Sequence, residues 1–328
     1  MIEVRNLSKF FGATVALSDV TFDVASGEVL GLLGPNGAGK TTAMRIITCY
    51  IPQDGGTVRV GGLDTVTDSV EVRRKIGYLP ESAPLYEDMG IVGYLEFIGR
   101  IRGLTPPRLR SRIDEMIQVC GLRKMAHRTI GTLSKGYRQR VGLAQTLIHD
   151  PDVLILDEPT TGLDPNQIVE IRDLIRSIGK QKTIVLSTHI LPEVEATCSR
   201  VLIINEGKLV ASGAPGELAA QAQGEAKVFL TVRGTPEMIE PVLRRSGFAT
   251  DLRLLEAPAG KVRYAIGSVE DEPEERLYAL AVANGWTVSE LMRESMSLEQ
   301  VFTRLTTREA AAAREGEPAQ VSEPSPVS

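Results

Sequence analysis

One stretch constrains this chain more than any other: the run Val29–Leu33 followed by Gly34-Pro35-Asn36-Gly37-Ala38-Gly39-Lys40-Thr41. A near-continuous apolar run reads as a strand buried on both faces. It ends in a glycine-rich turn that fits G-x-x-x-x-G-K-[ST] at every position, and a helical pattern opens behind it. A strand, phosphate loop and helix in that order demand a parallel α/β sheet. Glycines let the loop backbone approach an anion, its amides point inward, and the helix adds its positive end. In that chemistry Lys40 reaches the β- and γ-phosphates of a nucleotide and Thr41 ligates Mg²⁺.

Apolar runs recur at Val153–Leu156, Thr183–Leu186 and Val201–Ile204. Helical patterns separate them, so the sheet is expected to be mostly parallel. Residues 2–24 read as short strands, because Val20, Phe22 and Val24 alternate with Thr21 and Asp23. From Glu87 to Asp150 the pattern turns helical, through Gly93–Arg102, Pro107–Cys120 and Gly136–Ile148, as an insertion in the sheet domain. The small-residue stretch Ala214–Ala226 reads as a linker.

Beyond it, Val228–Val232, Pro236–Arg245, Ala249–Leu255, Lys261–Ile266, Glu272–Ala283 and Thr287–Met292 alternate as β-α-β-β-α-β, the order of a ferredoxin-like sandwich. Ser297 and Gln300 have capping-box spacing and open a last helix with an apolar stripe at Leu298, Val301, Phe302 and Leu305. The segments expected are thus a sheet domain over 1–220, with its helical part at about 87–150, a small α+β domain over 225–308, and a disordered tail over 309–328.

With 328 residues and a formal net charge of −5, nothing global points to nucleic acid. Cys49, Cys120 and Cys198 fit no disulfide or metal spacing and read as free thiols of a reducing compartment. The start has no apolar leader core. No run approaches the roughly 20 apolar residues that span a bilayer, so a membrane role must come through a partner.

A second half-site lies at Val153-Leu154-Ile155-Leu156-Asp157-Glu158, where an apolar strand ends in two carboxylates. Ligands of parallel sheets bind at that edge. Asp157 suits a Mg²⁺ contact through water, which leaves Glu158 to polarise the water that attacks the γ-phosphate. A solvated loop is the plainer reading of paired acids, and the phosphate loop upstream argues against it.

Leu133-Ser134-Lys135-Gly136-Tyr137-Arg138-Gln139-Arg140, just ahead of a helix, resembles the signature motif of ABC (ATP-binding cassette) ATPases. Thr161-Gly162-Leu163-Asp164 is similar to that family's D-loop, and Ser187-Thr188-His189 to its switch histidine. The resemblance spans residues 1 to about 220. The text from Ile76 to Met89, with the ending Ser297–Thr306, resembles a subfamily that pairs with six-helix permeases, as in gliding-motility, sodium-efflux and drug or polysaccharide exporters.

The resemblance implies a cassette fold with a mixed sheet core, an antiparallel β subdomain and a helical subdomain, and it implies ATP and Mg²⁺ as cofactors. ATP would be held by Phe11, stacked on adenine, and by Gly34, Pro35, Asn36, Gly37, Ala38, Gly39, Lys40, Thr41 and Thr42. From a second subunit it would be met in trans by Leu133, Ser134, Lys135, Gly136 and Tyr137. Phe11 by itself reads as core rather than as an adenine contact, and Ser134 by itself as a helix N-cap. Catalysis is assigned to Glu158, His189, Glu81 and Asp164, and Mg²⁺ to Thr41, Asp157 and Glu81. Glu81 stands where most cassettes have glutamine, and Lys135 and Tyr137 replace Gly and Gln of the commonest signature. With one phosphate loop and one signature per chain, a second copy or a paralogue is required. A separate permease is the other partner, with no nucleic acid and no span of its own, at the cytoplasmic membrane face. The alternatives are a soluble ABC protein acting on nucleic acid or the ribosome, disfavoured by the single cassette without a basic stripe, and a non-hydrolysing regulatory cassette, disfavoured because Glu158, His189 and the signature are all present.

Overall fold

Alternation in the first 24 residues yields two long strands in place of several short ones, β1 (Ile2–Phe11) and β2 (Thr14–Val24). Bulges after Val4, Leu7 and Lys9 shift their register. Ile2, Val4 and Leu7 nevertheless face the same core as Leu17, Val20 and Phe22. The molecule is represented by a computed structural model, which describes residues 1–222, 226–247, 249–256, 258, 260–268, 272–293 and 302. It divides into two compact units, Met1–Pro215 and Gly216–Ser328.

In the first unit the chain continues through β3 (Val29–Leu33), α1 (Lys40–Ile47), β4 (Gly55–Val60), β5 (Leu63–Asp64), α2 (Ser69–Lys75) and β6 (Ile76–Leu79). Three helices follow, α3 (Ile91–Ile101), α4 (Pro106–Val119) and α5 (Lys135–Leu147), within the segment expected to be helical. The chain then alternates through β7 (Val153–Asp157), α6 (Pro165–Gly179), β8 (Thr183–Thr188), α7 (Leu191–Thr197), β9 (Arg200–Asn205) and β10 (Lys208–Gly213).

Six strands form one sheet in the order β10-β9-β3-β8-β7-β6. All its neighbours are parallel except the β10–β9 hairpin at the edge. A second, antiparallel sheet has the order β2-β1-β4-β5. One apolar cluster takes Ile2, Val4 and Val58 from that sheet, Met44, Ile46 and Ile47 from α1, and Leu30, Leu32 and Ile155 from the six-stranded sheet. Each such side chain is fully buried, and burial of one contributes about 1.5–3 kcal/mol. The helix behind the phosphate loop is therefore a core element, anchored on both sides. The three cysteines are free, with Cys120 and Cys198 buried and Cys49 half-buried.

Part of the stretch read as a linker is helical: α8 (Pro215–Ala222). Pro at the first turn and the helix formers Glu, Leu, Ala and Gln explain it, since small residues in a row need not mean a loop.

In the second unit come β11 (Ala226–Arg233), α9 (Pro236–Arg245), β12 (Ala249–Leu255), β13 (Lys261–Ser268), α10 (Pro273–Ala283) and β14 (Val288–Arg293). The strand order β12-β13-β11-β14, antiparallel throughout, is that of the ferredoxin-like sandwich. Val228, Leu230, Tyr264 and Ile266 of the sheet pack with Ile239, Leu243 and Leu277 of the two helices. Apart from Phe302, the last helix expected from Ser297 lies outside the described residues, as does the tail 309–328.

Candidate active site

The phosphate loop links β3 to α1, and its glycines answer first to the protein's own backbone. A Cβ on Gly34 would stand 2.3 Å from the Ile204 carbonyl oxygen, and one on Gly39 2.6 Å from that of Ala16. Gly39 also holds φ at 107°, where a side chain is strained. The loop is thus wedged between β2 and the β9–β10 turn, whose Gly207 N–H donates to Ala38 O at 3.0 Å and whose Gly207 O accepts from Ser18 N–H at 2.9 Å. The N-cap of α1 is Gly39, which brings no side chain to the first amides of the helix. Those amides open toward an anion.

Lys40 is 6% exposed, and its Nζ donates to Gly34 O at 2.7 Å and Pro35 O at 3.1 Å. Glu158 Oε1 lies 3.7 Å from the same ammonium. Glu158 follows β7 with φ at 46°, an uncommon conformation for a residue with a side chain. Its amide donates to Ser187 Oγ at 2.9 Å. Ser187 Oγ in turn donates to Asp157 Oδ1 at 2.6 Å, and Thr41 Oγ1 reaches the same oxygen at 3.2 Å. The other Glu158 oxygen accepts from His189 Nδ1 at 2.9 Å and from Thr161 Oγ1 at 3.3 Å. The ends of three parallel strands, β3, β7 and β8, therefore meet in one polar network. Next to it, burial raises the Tyr78 phenol above its ordinary value, with the Asp157 charge adding to the shift.

A cleft of about 370 Å³ opens over this network, lined by Thr14, Val15, Ala16, Asn36–Thr42, Glu81, Glu158, Thr161 and His189. A neighbouring cleft of about 220 Å³ takes Lys135 and Arg138 together with Glu81 and Thr161. The expected residues divide accordingly. The loop residues Asn36–Thr42, Glu81, Glu158 and His189 share one cleft, with Asp157 beneath it, and Gly34 and Pro35 hold Lys40. Phe11 is 52% exposed, with the Lys9 ammonium 5.5 Å from its ring centre, so it is no part of the core. Ser134 is the N-cap of α5 and accepts from Tyr137 N–H at 3.4 Å; Leu133 and Gly136 are buried beside it and Lys135 is exposed. Asp164 caps α6 through Gln167 N–H at 2.9 Å.

A family model described as ABC transporter matches residues 17–161. Over 310 residues the chain is 31% identical to the linearmycin resistance ATP-binding protein LnrL of Bacillus subtilis (strain 168), which spans 94% of this chain and 99% of that protein. The chain belongs to the ABC transporter ATP-binding proteins. The daunorubicin resistance ATP-binding protein DrrA3 of Streptomyces coeruleorubidus is 35% identical over 309 residues, 93% of this chain and 95% of that protein. Among solved structures, an ATP-binding subunit of an ABC transporter superposes with a TM-score of 0.62 at 30% identity, covering 67% of this chain and 92% of that one. The dimeric cassette MJ0796 in a post-hydrolysis state with ADP and Pi superposes with a TM-score of 0.60 at 25% identity, covering 65% and 98%. This cassette is therefore an ATP-binding and ATP-hydrolysing subunit of the ABC transporter type. Cassettes of this kind dimerise and work with transmembrane components, and among the described residues no helix here is long and apolar enough to cross a membrane.

Several residues of the cassette's site were not singled out from the sequence. Ser187 is fully buried and joins Asp157 to the Glu158 amide; its signal was available, as the first residue of the Ser-Thr-His run. Thr161 likewise sits in a quoted motif and donates to Glu158. Thr14, Val15 and Ala16 line the cleft from β2, and a strand edge leaves no sequence mark of that kind.

Proposed function

We propose that this ATPase powers export through a separate membrane permease, at the cytoplasmic face, by closing two cassettes around two ATP molecules. The observation that carries the catalytic reading is the Glu158 carboxylate, 9% exposed and set between Lys40 at 3.7 Å and His189 at 2.9 Å on the wall of the cleft. A carboxylate held there accepts the proton of a water attacking the γ-phosphorus, while the leaving oxygen departs with ADP. Lys40 exchanges its loop carbonyls for the β- and γ-phosphate oxygens. His189, turned from Glu158, donates to the γ-phosphate in the same step.

The oxygen donors of Thr41 and Asp157, 3.2 Å apart, suit Mg²⁺, with exposed Glu81 on the rim. Held by Thr41 and Asp157, the ion would supply positive charge to offset the negative charge of the phosphates. Phe11 is free to stack on adenine. Ser134, Gly136 and the start of α5 serve the γ-phosphate of the opposite subunit, and Asp164 steers the loop that crosses between subunits.

A permease contact is supported by the exposed rings of Tyr86 and Phe97, edge to face at 5.6 Å, with Tyr86 also meeting the buried Tyr94 edge to face at 6.0 Å. Export is supported by the named roles of the relatives, linearmycin resistance, daunorubicin resistance and Nod factor export. The cassette is assigned to residues 1–220 and an accessory domain without chemistry of its own to 225–308.

A mixing experiment tests the composite site. Lys40→Ala removes a phosphate loop and Ser134→Arg blocks a signature, so each variant alone should be inactive. A 1:1 mixture rebuilds one intact site per mixed dimer and should recover ATPase activity. A mixture that stays at background overturns the two-subunit reading.

A further inference from the structure

Glu193 lies on α7, outside the cleft, and nothing in the motif pattern marks it. Its side chain is nonetheless buried, with the residue 7% exposed. Glu193 Oε2 accepts two hydroxyl donors, Thr160 Oγ1 at 2.7 Å and Thr188 Oγ1 at 3.0 Å. Thr188 Oγ1 also accepts from Ile190 N–H at 3.0 Å, which fixes the turn after β8. Burying a carboxylate is expensive unless its hydrogen bonds return the loss, and Oε1 of this one is buried without a partner. A helix packed here for stability alone would not need an acid.

The partners decide what the acid does. Thr160 precedes Thr161, which donates to Glu158, and Thr188 precedes His189, which donates to the same carboxylate. The two segments leave adjacent parallel strands, β7 and β8, in which Asp157 pairs with Ser187. Beyond the strand ends the ladder stops, and Glu193 ties the two segments together alongside the Glu158–Ser187 and His189–Glu158 contacts. We propose that Glu193 is a positioning residue, clamping the segments after β7 and β8 so that Thr161 and His189 meet Glu158 in one geometry. Burial also pushes the Cys198 thiol, enclosed at the end of α7, up to about 12, with the Glu193 charge adding to the shift. Gly31 makes that enclosure tight: a Cβ there would stand 3.0 Å from Cys198 Sγ and 3.2 Å from Val194 Cγ1.

The inference rests on the catalytic reading of Glu158 and His189 given above. If it holds, Glu193→Ala lowers kcat by roughly 10- to 100-fold, since misplacement of about 1 Å costs that much, while KM for ATP moves by no more than about threefold because the phosphate loop is untouched. Glu193→Gln keeps an acceptor oxygen for both hydroxyls and should retain kcat within about threefold. Thr160→Val with Thr188→Val should reproduce the loss, and adding Glu193→Ala to that pair should deepen it little. The full chain is used, with kcat scaled to the fraction that binds a fluorescent ATP analogue, so that unfolded protein does not count. A normal kcat in Glu193→Ala, or in the double threonine variant if Glu193→Ala does not fold, overturns the proposal. So does a Glu193→Gln enzyme as slow as Glu193→Ala. Glu158→Gln and His189→Ala run alongside: wild-type turnover in both sinks the catalytic reading itself, whatever Glu193 does.

Discussion

Replacing Glu158 by glutamine separates the two things its carboxylate does. The side chain keeps its volume and its backbone keeps φ at 46°, so the loop should not move. What disappears is the proton acceptor, and with it roughly 10²- to 10⁴-fold in kcat, or about 3–5 kcal/mol of barrier. The charge has a second effect. Lys40 and Glu158 stand 3.7 Å apart with side chains 6% and 9% exposed. At an effective dielectric of about 20, unit charges at that spacing attract by roughly 4 kcal/mol, before desolvation is subtracted. ATP must compete with this contact for the ammonium, and its γ-phosphate must approach the carboxylate. Removing the charge should therefore tighten ATP binding by roughly 3- to 30-fold, about 0.7–2 kcal/mol. Binding is read by fluorescence with a labelled ATP, chemistry by single-turnover release of phosphate, and dimer accumulation by sedimentation. Wild-type turnover would refute the role of Glu158, and weaker ATP binding would refute the competition for Lys40.

Glu81→Gln should keep at least a tenth of wild-type turnover, because Glu81 is exposed at the rim of the cleft; a drop of 10²-fold in a coupled ATPase assay would make it the proton acceptor instead. His149 links stability to acid: burial first, then the Arg102 charge, push its imidazole down to about 4 from 6.5. The unfolded chain thus takes a proton that the folded one refuses, and stability should fall as pH drops from 6.5, by about 1–2 kcal/mol at pH 5. His149→Gln should flatten that limb in urea midpoints measured at pH 7.5 and 5, and an unchanged slope would disprove the assignment. A chain ending at Gly224 should still bind ATP but dimerise differently; identical sedimentation and ATPase kinetics would reduce the second unit to an appendage.

The parts legible in the sequence were those with a short period or a covalent signature. Val29–Leu33 and Val153–Leu156 announced buried parallel strands because both faces are apolar. The β-α-β-β-α-β order was visible because each element of the second unit is bounded by a Gly, Pro or polar break. Gly34 and Gly39 were legible as loop residues, but for a reason only partly right: the carbonyls of Ile204 and Ala16, far away in sequence, forbid a side chain. Glu193 was not legible at all, since no motif covers Leu191–Thr197 and its partners come from two other segments. Lateral contacts between strand ends leave no periodic trace in one chain, and that is where much of the site's geometry resides. The helix over Pro215–Ala222 shows the opposite failure, where composition suggested a break and propensity built a helix.

The distribution of sulfur has a practical consequence. Burial pushes the Cys120 and Cys198 thiols up to about 12, which removes the thiolate on which alkylation depends. Cys49 is the half-buried third, one residue before the widely exposed Tyr50 and just past the end of α1. A maleimide dye added to the unaltered chain should mark that position ahead of the others. It would sit at the tail of the helix whose head cradles the phosphates, so the protein carries its own attachment point for an optical reporter of nucleotide occupancy, with no cysteine to add and none to remove.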